Sequence, residues 1–295
     1  MYFHVTQGGI PVKLNTYELG LGGGSMLQLA TLVDNLRMAY LIDTPDGKTI
    51  IIDGGLYCRE EADQLYRMIQ DRGGRVDLWI LTHAHSDHIG ALTWMMEHFP
   101  VFDITIDKMI YHFPPAEVLS KWEDWENNER FSYYVEKQGL NVVTPAPGDL
   151  YECGGVSVEI ISISEEYEKY WSTNPTSIIF LVHFPARDVL FLGDFEVWAQ
   201  PEFLSKYDAS KLRCDIVQMA HHGQAGADRS FYELIQPKYC LYTAADWIWY
   251  NYPFFEHDPA KAGTGPFRTL ETRQWMEEMG VIKSFTFIEG DWLFT

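Results

Sequence analysis

His83-Ala84-His85-Ser86-Asp87-His88 places three imidazoles and a carboxylate within six residues. The apolar run Val76-Asp77-Leu78-Trp79-Ile80-Leu81 comes just before it and reads as a buried strand. The cluster therefore sits on the loop at that strand's C-terminal end. Neutral imidazole and carboxylate are the usual ligands of zinc and related divalent ions. A single loop here offers more ligands than one ion takes from one segment, which points to two adjacent ions. The chain has 10 histidines in 295 residues, so three in one hexapeptide are not scatter. Its internal position, with Ala, Ser and Asp interleaved, also separates it from a polyhistidine tag.

Composition sets the frame around that loop. Hydrophobic residues make up 46% and aromatics 15%, ample for a large core. No tandem repeat, low-complexity tract or linker divides the chain, so residues 1–295 read as a single domain. No stretch is long and apolar enough to span a bilayer, and the first residues, Met1 to Gln7, lack the pattern of a secretory signal. Cys58, Cys153, Cys214 and Cys240 are far apart and form no C-x-x-C, so a cytoplasmic protein with free thiols is expected. The formal net charge of −20, with 22 dispersed Lys and Arg, disfavours a polyanionic partner such as nucleic acid and favours a small-molecule substrate.

Strand and helix patterns alternate along the chain. Strands are expected at 38–42, 49–52, 108–111, 156–163, 177–183, 189–192, 214–220, 238–242, 284–288 and 292–294. Helices are expected at 60–70, 91–99, 122–138, 195–207, 229–235 and 270–279. The result is a mixed α/β domain. Three further features share the character of the first, a ligand-type residue at the end of an apolar strand, where α/β sheets present functional groups. Ile50-Ile51-Ile52 runs into Asp53-Gly54-Gly55, and Val189 to Leu192 runs into Gly193-Asp194. Cys214 to Ala220 runs into His221-His222-Gly223. Singly each is an ordinary turn; together and in this order they form a constellation.

That constellation resembles the metallo-β-lactamase superfamily. Asp53 matches its first motif, and His83, His85, Asp87 and His88 match H-x-H-x-D-H without deviation. Asp194 matches the Gly-Asp motif, and His221 or His222 the later histidine. The resemblance implies a four-layer αββα sandwich with a two-metal site along one edge of the paired sheets. One position departs: near Thr173, where many members have a metal-binding His, the sequence is Ser172-Thr173-Asn174-Pro175-Thr176-Ser177. The first ion then has one protein ligand fewer, and Asn174, a backbone group or water would fill the gap. Asn174 with Ser177, then Leu-Gly-Asp, then His-His-Gly looks like the branch that holds the soluble domain of competence-type DNA-uptake proteins and the phosphorylcholine esterases.

What the resemblance implies is a dinuclear hydrolase. His83 and His85 hold one ion; Asp87, His88 and a histidine of the 221–222 pair, His221 by preference, hold the other. Asp194 bridges the two, and Asp53 orients a ligand from behind. A hydroxide between the ions is the nucleophile, with Asp194 or Asp87 assisting proton transfer. Zinc is the expected ion, with manganese or iron as alternatives. Phosphodiesters or phosphomonoesters are the expected substrates. The rivals are a lactonase or thioester hydrolase, a flavodiiron-type oxidoreductase, a nuclease and a metal-binding module without catalysis. The aromatic stretch Trp247 to Phe255, with Trp247, Tyr250 and nearby His257, is offered together with Asn174 as a substrate pocket, its aromatics suited to a cationic group.

Overall fold

The computed structural model describes residues 5–7, 10–33, 35–122, 125–224, 226–253 and 256–295. Positions 123 and 124 of the expected helix 122–138, and Phe254 and Phe255 of the aromatic stretch, lie outside the described residues.

The apolar runs become two sheets. The first has eight strands in the order Val142–Val143, Met109–Ile110, Leu78–Ile80, Thr49–Asp53, Ala39–Asp43, Ser25–Gln28, Asp291–Phe294 and Leu14–Tyr17. The second has seven: Leu150–Cys153, Val156–Ser162, Ile179–His183, Asp188–Phe191, Ile216–Gln218, Tyr239–Tyr242 and Lys283–Thr286. Thr49–Asp53, Leu78–Ile80 and Met109–Ile110 run parallel to one another. So do Asp188–Phe191, Ile216–Gln218, Tyr239–Tyr242 and Lys283–Thr286. Parallel strands covered on both faces need apolar side chains on both, which is why Ile50, Ile51 and Ile52 are all fully buried.

Alternation of side chains splits each strand between two layers. Ile50, Ile52 and Ile80 face inward and meet Phe180, Val182 and Phe191 of the other sheet. Ile51, Leu41 and Trp79 point outward under α1 (Arg59–Gln70) and α2 (Ser86–His98), which contribute Leu65, Ile69, Leu92 and Met95. The short α3 (Ala116–Leu119) leads to α4 (Trp125–Gln138), whose Phe131 and Val135 join the same cluster. The outer face of the second sheet, with Leu190, Val217 and Tyr242, packs under α5 (Gln200–Lys206) and α6 (Arg229–Ile235). There α7 (Asp246–Trp249) and α8 (Thr269–Glu278) complete the cover with Ile248, Trp275 and Met276. The order helix, sheet, sheet, helix is the expected αββα sandwich.

Several boundaries differ from the sequence reading. α2 begins at Ser86, five residues earlier than expected, because the extended His85 leaves its carbonyl free to accept from His88 and Ile89 at 3.1 and 3.0 Å. Asp87 and His88 thus sit in the first helical turn. α5 starts only at Gln200, where Pro201 fixes the helical φ. The strands at 14–17, 25–28 and 150–153 were missed. They are short, and two of them pair with Asp291–Phe294, more than 260 residues away. All four cysteines are free. Among the described residues no helix is long and apolar enough to cross a membrane.

Candidate metal centre

The parallel strands of both sheets end at one edge, and each delivers a polar residue there, as open α/β sheets do at their carboxyl ends. Thr49–Asp53 ends in Asp53, Leu78–Ile80 leads into His83, and Asp188–Phe191 into Asp194. Ile216–Gln218 leads into His222, and Tyr239–Tyr242 into Thr243.

Two groups of ligand atoms form. Asp87, His88, Asp194 and His222 bring one atom each within 4.8 Å of one another, and so do His83, His85 and Asp194. In the first group His222 Nε2 lies 3.0 Å from Asp87 Oδ2 and 3.3 Å from Asp194 Oδ2. His88 Nε2 lies 3.2 Å from Asp194 Oδ1 and 3.6 Å from Asp87 Oδ2. In the second, His83 Nε2 is 3.9 Å from Asp194 Oδ2, and the His83 and His85 rings are 4.9 Å apart. Asp194 belongs to both.

The orientation of these atoms is fixed from behind. Asp53 accepts from Thr82 N at 2.7 Å and from Thr82 Oγ1 at 2.8 Å, and His88 Nδ1 lies 2.7 Å from its Oδ2. The Thr82 hydroxyl, its proton directed to Asp53, is left to accept from His83 Nδ1 at 3.1 Å. Nδ1 of both histidines therefore carries the proton, and both Nε2 lone pairs face the centre. His222 is held likewise by the Thr243 carbonyl, 2.9 Å from its Nδ1. Asp194 depends on its neighbour: Gly193 has φ 55°, and a Cβ there would meet Ser177 Oγ and Thr82 Cβ at 2.9 Å. Ser177 Oγ accepts from Asp194 N at 3.0 Å, and Gln218 Oε1 accepts from Leu192 N and Gly193 N at 2.9 and 2.8 Å.

Nε2 of His83, His88 and His222, Oδ2 of Asp87 and Oδ1 of Asp194 are buried without a hydrogen-bond partner. Five converging polar atoms left so would be costly. Charge makes the same demand. Burial lowers the pKa of His222, but Asp194 and Asp87 outweigh it and bring it to about 9. Burial likewise lowers that of His88, and Asp194, Asp53 and Asp87 raise it well above the ordinary value. The carboxylates call for positive charge at Nε2, which divalent cations supply in place of protons. The donor set fits two such ions.

A family model, the metallo-beta-lactamase superfamily, matches residues 34–238. The chain belongs to this superfamily. It is 22% identical over 180 residues to ComE operon protein 3 of Bacillus subtilis (strain 168), covering 61% of this chain and 21% of that protein. It is 25% identical over 162 residues to ribonuclease J of Mycolicibacterium smegmatis (strain ATCC 700084 / mc(2)155), covering 55% of this chain and 24% of that one. The chain thus matches less than a quarter of the length of either relative. Among solved structures, the metallo-beta-lactamase fold protein YhfI from Bacillus subtilis superposes with a TM-score of 0.51 at 11% identity, over 91% of this chain and 99% of that one. That similarity is one of fold.

Within this superfamily framework the remaining expected residues separate. Of the histidine pair, His222 enters the ligand cluster, not the preferred His221. Both have positive φ, 48° and 56°, and this double left-handed turn buries the second ring fully while the first keeps 16% of its side chain exposed. His221 Nε2 is 3.8 Å from Asp194 Oδ2, and its Nδ1 is 3.3 Å from Glu196 Oε1. Asn174 Nδ2 reaches Glu196 Oε1 and His221 Nε2, each at 3.2 Å, so it braces His221 beside the ligands. The described residues of the aromatic stretch have partners of their own. Trp247 is buried in the core with its ring 5.1 Å from that of Phe267, Tyr250 stacks obliquely on Tyr252, and His257 Nδ1 pairs with Asp246 at 2.7 Å. Glu196, Gln218 and Thr243 were missed by the sequence reading. The signal for the first two was available: polar residues adjoining Gly-Asp and His-His at strand ends.

Proposed function

We propose that the protein is a dinuclear metal-dependent phosphoesterase acting on a small-molecule phosphate ester, phosphodiester or phosphomonoester. The observation that carries the reading is the position of Asp194 in both ligand groups, its two oxygens turned to His88 on one side and to His83 and His222 on the other. Zinc is the ion assigned, with manganese or iron as alternatives set by supply. When bound, two such ions supply a water of lowered pKa and neutralise charge on the phosphoryl oxygens. His83 and His85 with Asp194 hold one, and Asp87, His88 and His222 with Asp194 hold the other. Asp53 keeps the imidazole lone pairs turned inward, directly for His88 and through Thr82 for His83. His221, partly exposed and held between Glu196 and Asn174, is positioned to carry a proton to the departing alkoxide.

Phosphate esters are favoured over lactones and thioesters because no histidine stands near Thr173, where those branches of the superfamily usually carry one. The relative named ribonuclease J supports phosphodiester chemistry. The net charge of −20 argues for a small substrate over a polyanion. Four free cysteines agree with a cytoplasmic setting. The test is elemental analysis together with assays on bis-p-nitrophenyl phosphate, p-nitrophenylphosphorylcholine, a lactone and single-stranded DNA. Two ions per chain with turnover confined to the small phosphate esters is the expected result. Lactone turnover alone, or strong salt-dependent binding and cleavage of DNA, would replace the reading.

A further inference from the structure

Met109–Ile110 lies beside Leu78–Ile80 in parallel register, and Leu81 N donates to Ile110 O at 2.9 Å. The residues that follow, Tyr111 to Phe113, therefore emerge at the same sheet edge as His83, one strand over. A pocket of about 350 Å³ opens there, walled by Tyr111, Phe113, Pro114, Leu119, Trp125 and Asn128 among others. That volume is within the range of small-molecule sites, roughly 300–1,000 Å³.

Three features fit the pocket to one kind of occupant. Its rear wall is rigid: the Tyr111 and Phe113 rings lie 4.5 Å apart, and each rests on the fully buried Phe131, at 5.5 and 5.6 Å. Its wall is joined to the metal loop, because Asn128 Nδ2 donates to the Ala84 carbonyl at 3.0 Å, between His83 and His85. Among the described residues no Lys or Arg lines it, so they offer no cation for a phosphoryl group. The phosphoryl group is left to the metal centre, and the pocket is left for the apolar side of the ester. Flat aromatic walls favour a flat aromatic guest.

We propose that this pocket receives the aromatic group of the substrate, making the protein a phosphoesterase for esters of aryl or arylalkyl alcohols. The proposal rests on the phosphoesterase reading above. Phenylphosphonate and methylphosphonate, titrated calorimetrically into the metal-loaded protein, separate the two ideas because neither is turned over. Phenylphosphonate is expected to bind at least about tenfold more tightly, since only it buries a ring. Ser132 is an exposed residue of α4 in the pocket wall, so Ser132→Trp fills the cavity without touching the core. It should abolish the preference and leave methylphosphonate affinity and metal content unchanged. Trp125→Ala should reduce the preference about threefold. Equal affinities in the wild type, a preference that survives Ser132→Trp, or tighter binding of a nucleoside monophosphate than of phenylphosphonate would overturn the proposal. A preserved preference with no turnover of any phosphate ester would instead remove the phosphoesterase reading and leave the aromatic pocket standing.

Discussion

The two ligand groups share Asp194 but are built differently. Asp87, His88 and His222 are all buried, and the latter two have Nδ1 tied to Asp53 and to the Thr243 carbonyl at 2.7 and 2.9 Å. Of the other pair, His83 is braced through the Thr82 hydroxyl at 3.1 Å, and His85 is part exposed. One group offers four ligand-type side chains, all buried; the other offers three, of which His85 is part exposed. A group with more ligand-type side chains and less solvent access holds a cation more firmly, so unequal affinity is expected. The lesson is that a symmetric-looking motif, H-x-H-x-D-H, serves two unequal positions, with the tighter ion expected at Asp87, His88 and His222.

The largest effect should come from the residue the groups have in common. Asp194→Ala is expected to reduce bound metal from two ions per chain towards none. The lost ions represent several kcal/mol of transition-state stabilisation, so hydrolysis of bis-p-nitrophenyl phosphate should fall roughly 10³-fold or more. Retention of two ions would break the shared-ligand description. The histidine pair gives the next test. His222→Ala should leave about one ion per chain, whereas His221→Ala should keep both and lower kcat by about 10²-fold with KM little changed, the loss of one positioned proton. If His221→Ala is the variant that loses metal, the two rings have exchanged roles.

The hexapeptide was legible because its ligands are neighbours in sequence and its strand is unmistakable. Asp53 and Asp194 were legible for the same reason, each ending a continuous apolar run. The choice between His221 and His222 was not, since it depends on two consecutive left-handed residues that nothing but three-dimensional constraint enforces. Trp247 shows a different ambiguity. An aromatic-rich segment after a strand reads as cover for a sheet or as a cage, and of its residues Trp247 is buried beside Phe267. The aromatic pocket beside the metal loop was invisible because Tyr111, Phe113 and Trp125 meet only once α4 folds back across the end of Met109–Ile110.

A smaller effect should follow at Asp53, and it falls unequally on the two groups. In Asp53→Asn the amide can still accept from Thr82 N with its oxygen, but its NH2 then faces His88 Nδ1 and cannot accept the proton there. His88 would have to move that proton to Nε2, the ligand atom. Metal affinity at the tighter position should fall 10–100-fold. The position of His83, reached only through Thr82, should fall less. Metal titrations with a competing chelator would resolve the two steps, and an equal loss at both would show that Asp53 serves them alike.

The smallest change sharpens the comparison most. Thr82→Val keeps the shape of the side chain and removes only the hydroxyl that links His83 to Asp53. The Asp53–His88 contact at 2.7 Å does not pass through it and should persist. Folding stability should drop by about 2 kcal/mol, because two buried hydrogen bonds, Thr82 Oγ1 to Asp53 and His83 Nδ1 to Thr82 Oγ1, are lost while Asp53 keeps its other partners. The His83 ring, freed from the Thr82 hydroxyl, should tolerate either tautomer, and the tautomer protonated at Nε2 cannot ligate through that atom. A few-fold weakening confined to the His83–His85 ion is therefore expected, with the Asp87–His88–His222 ion unchanged. Weakening of that second ion instead would mean that the threonine, and not the aspartate alone, orients His88 from its 3.2 Å contact.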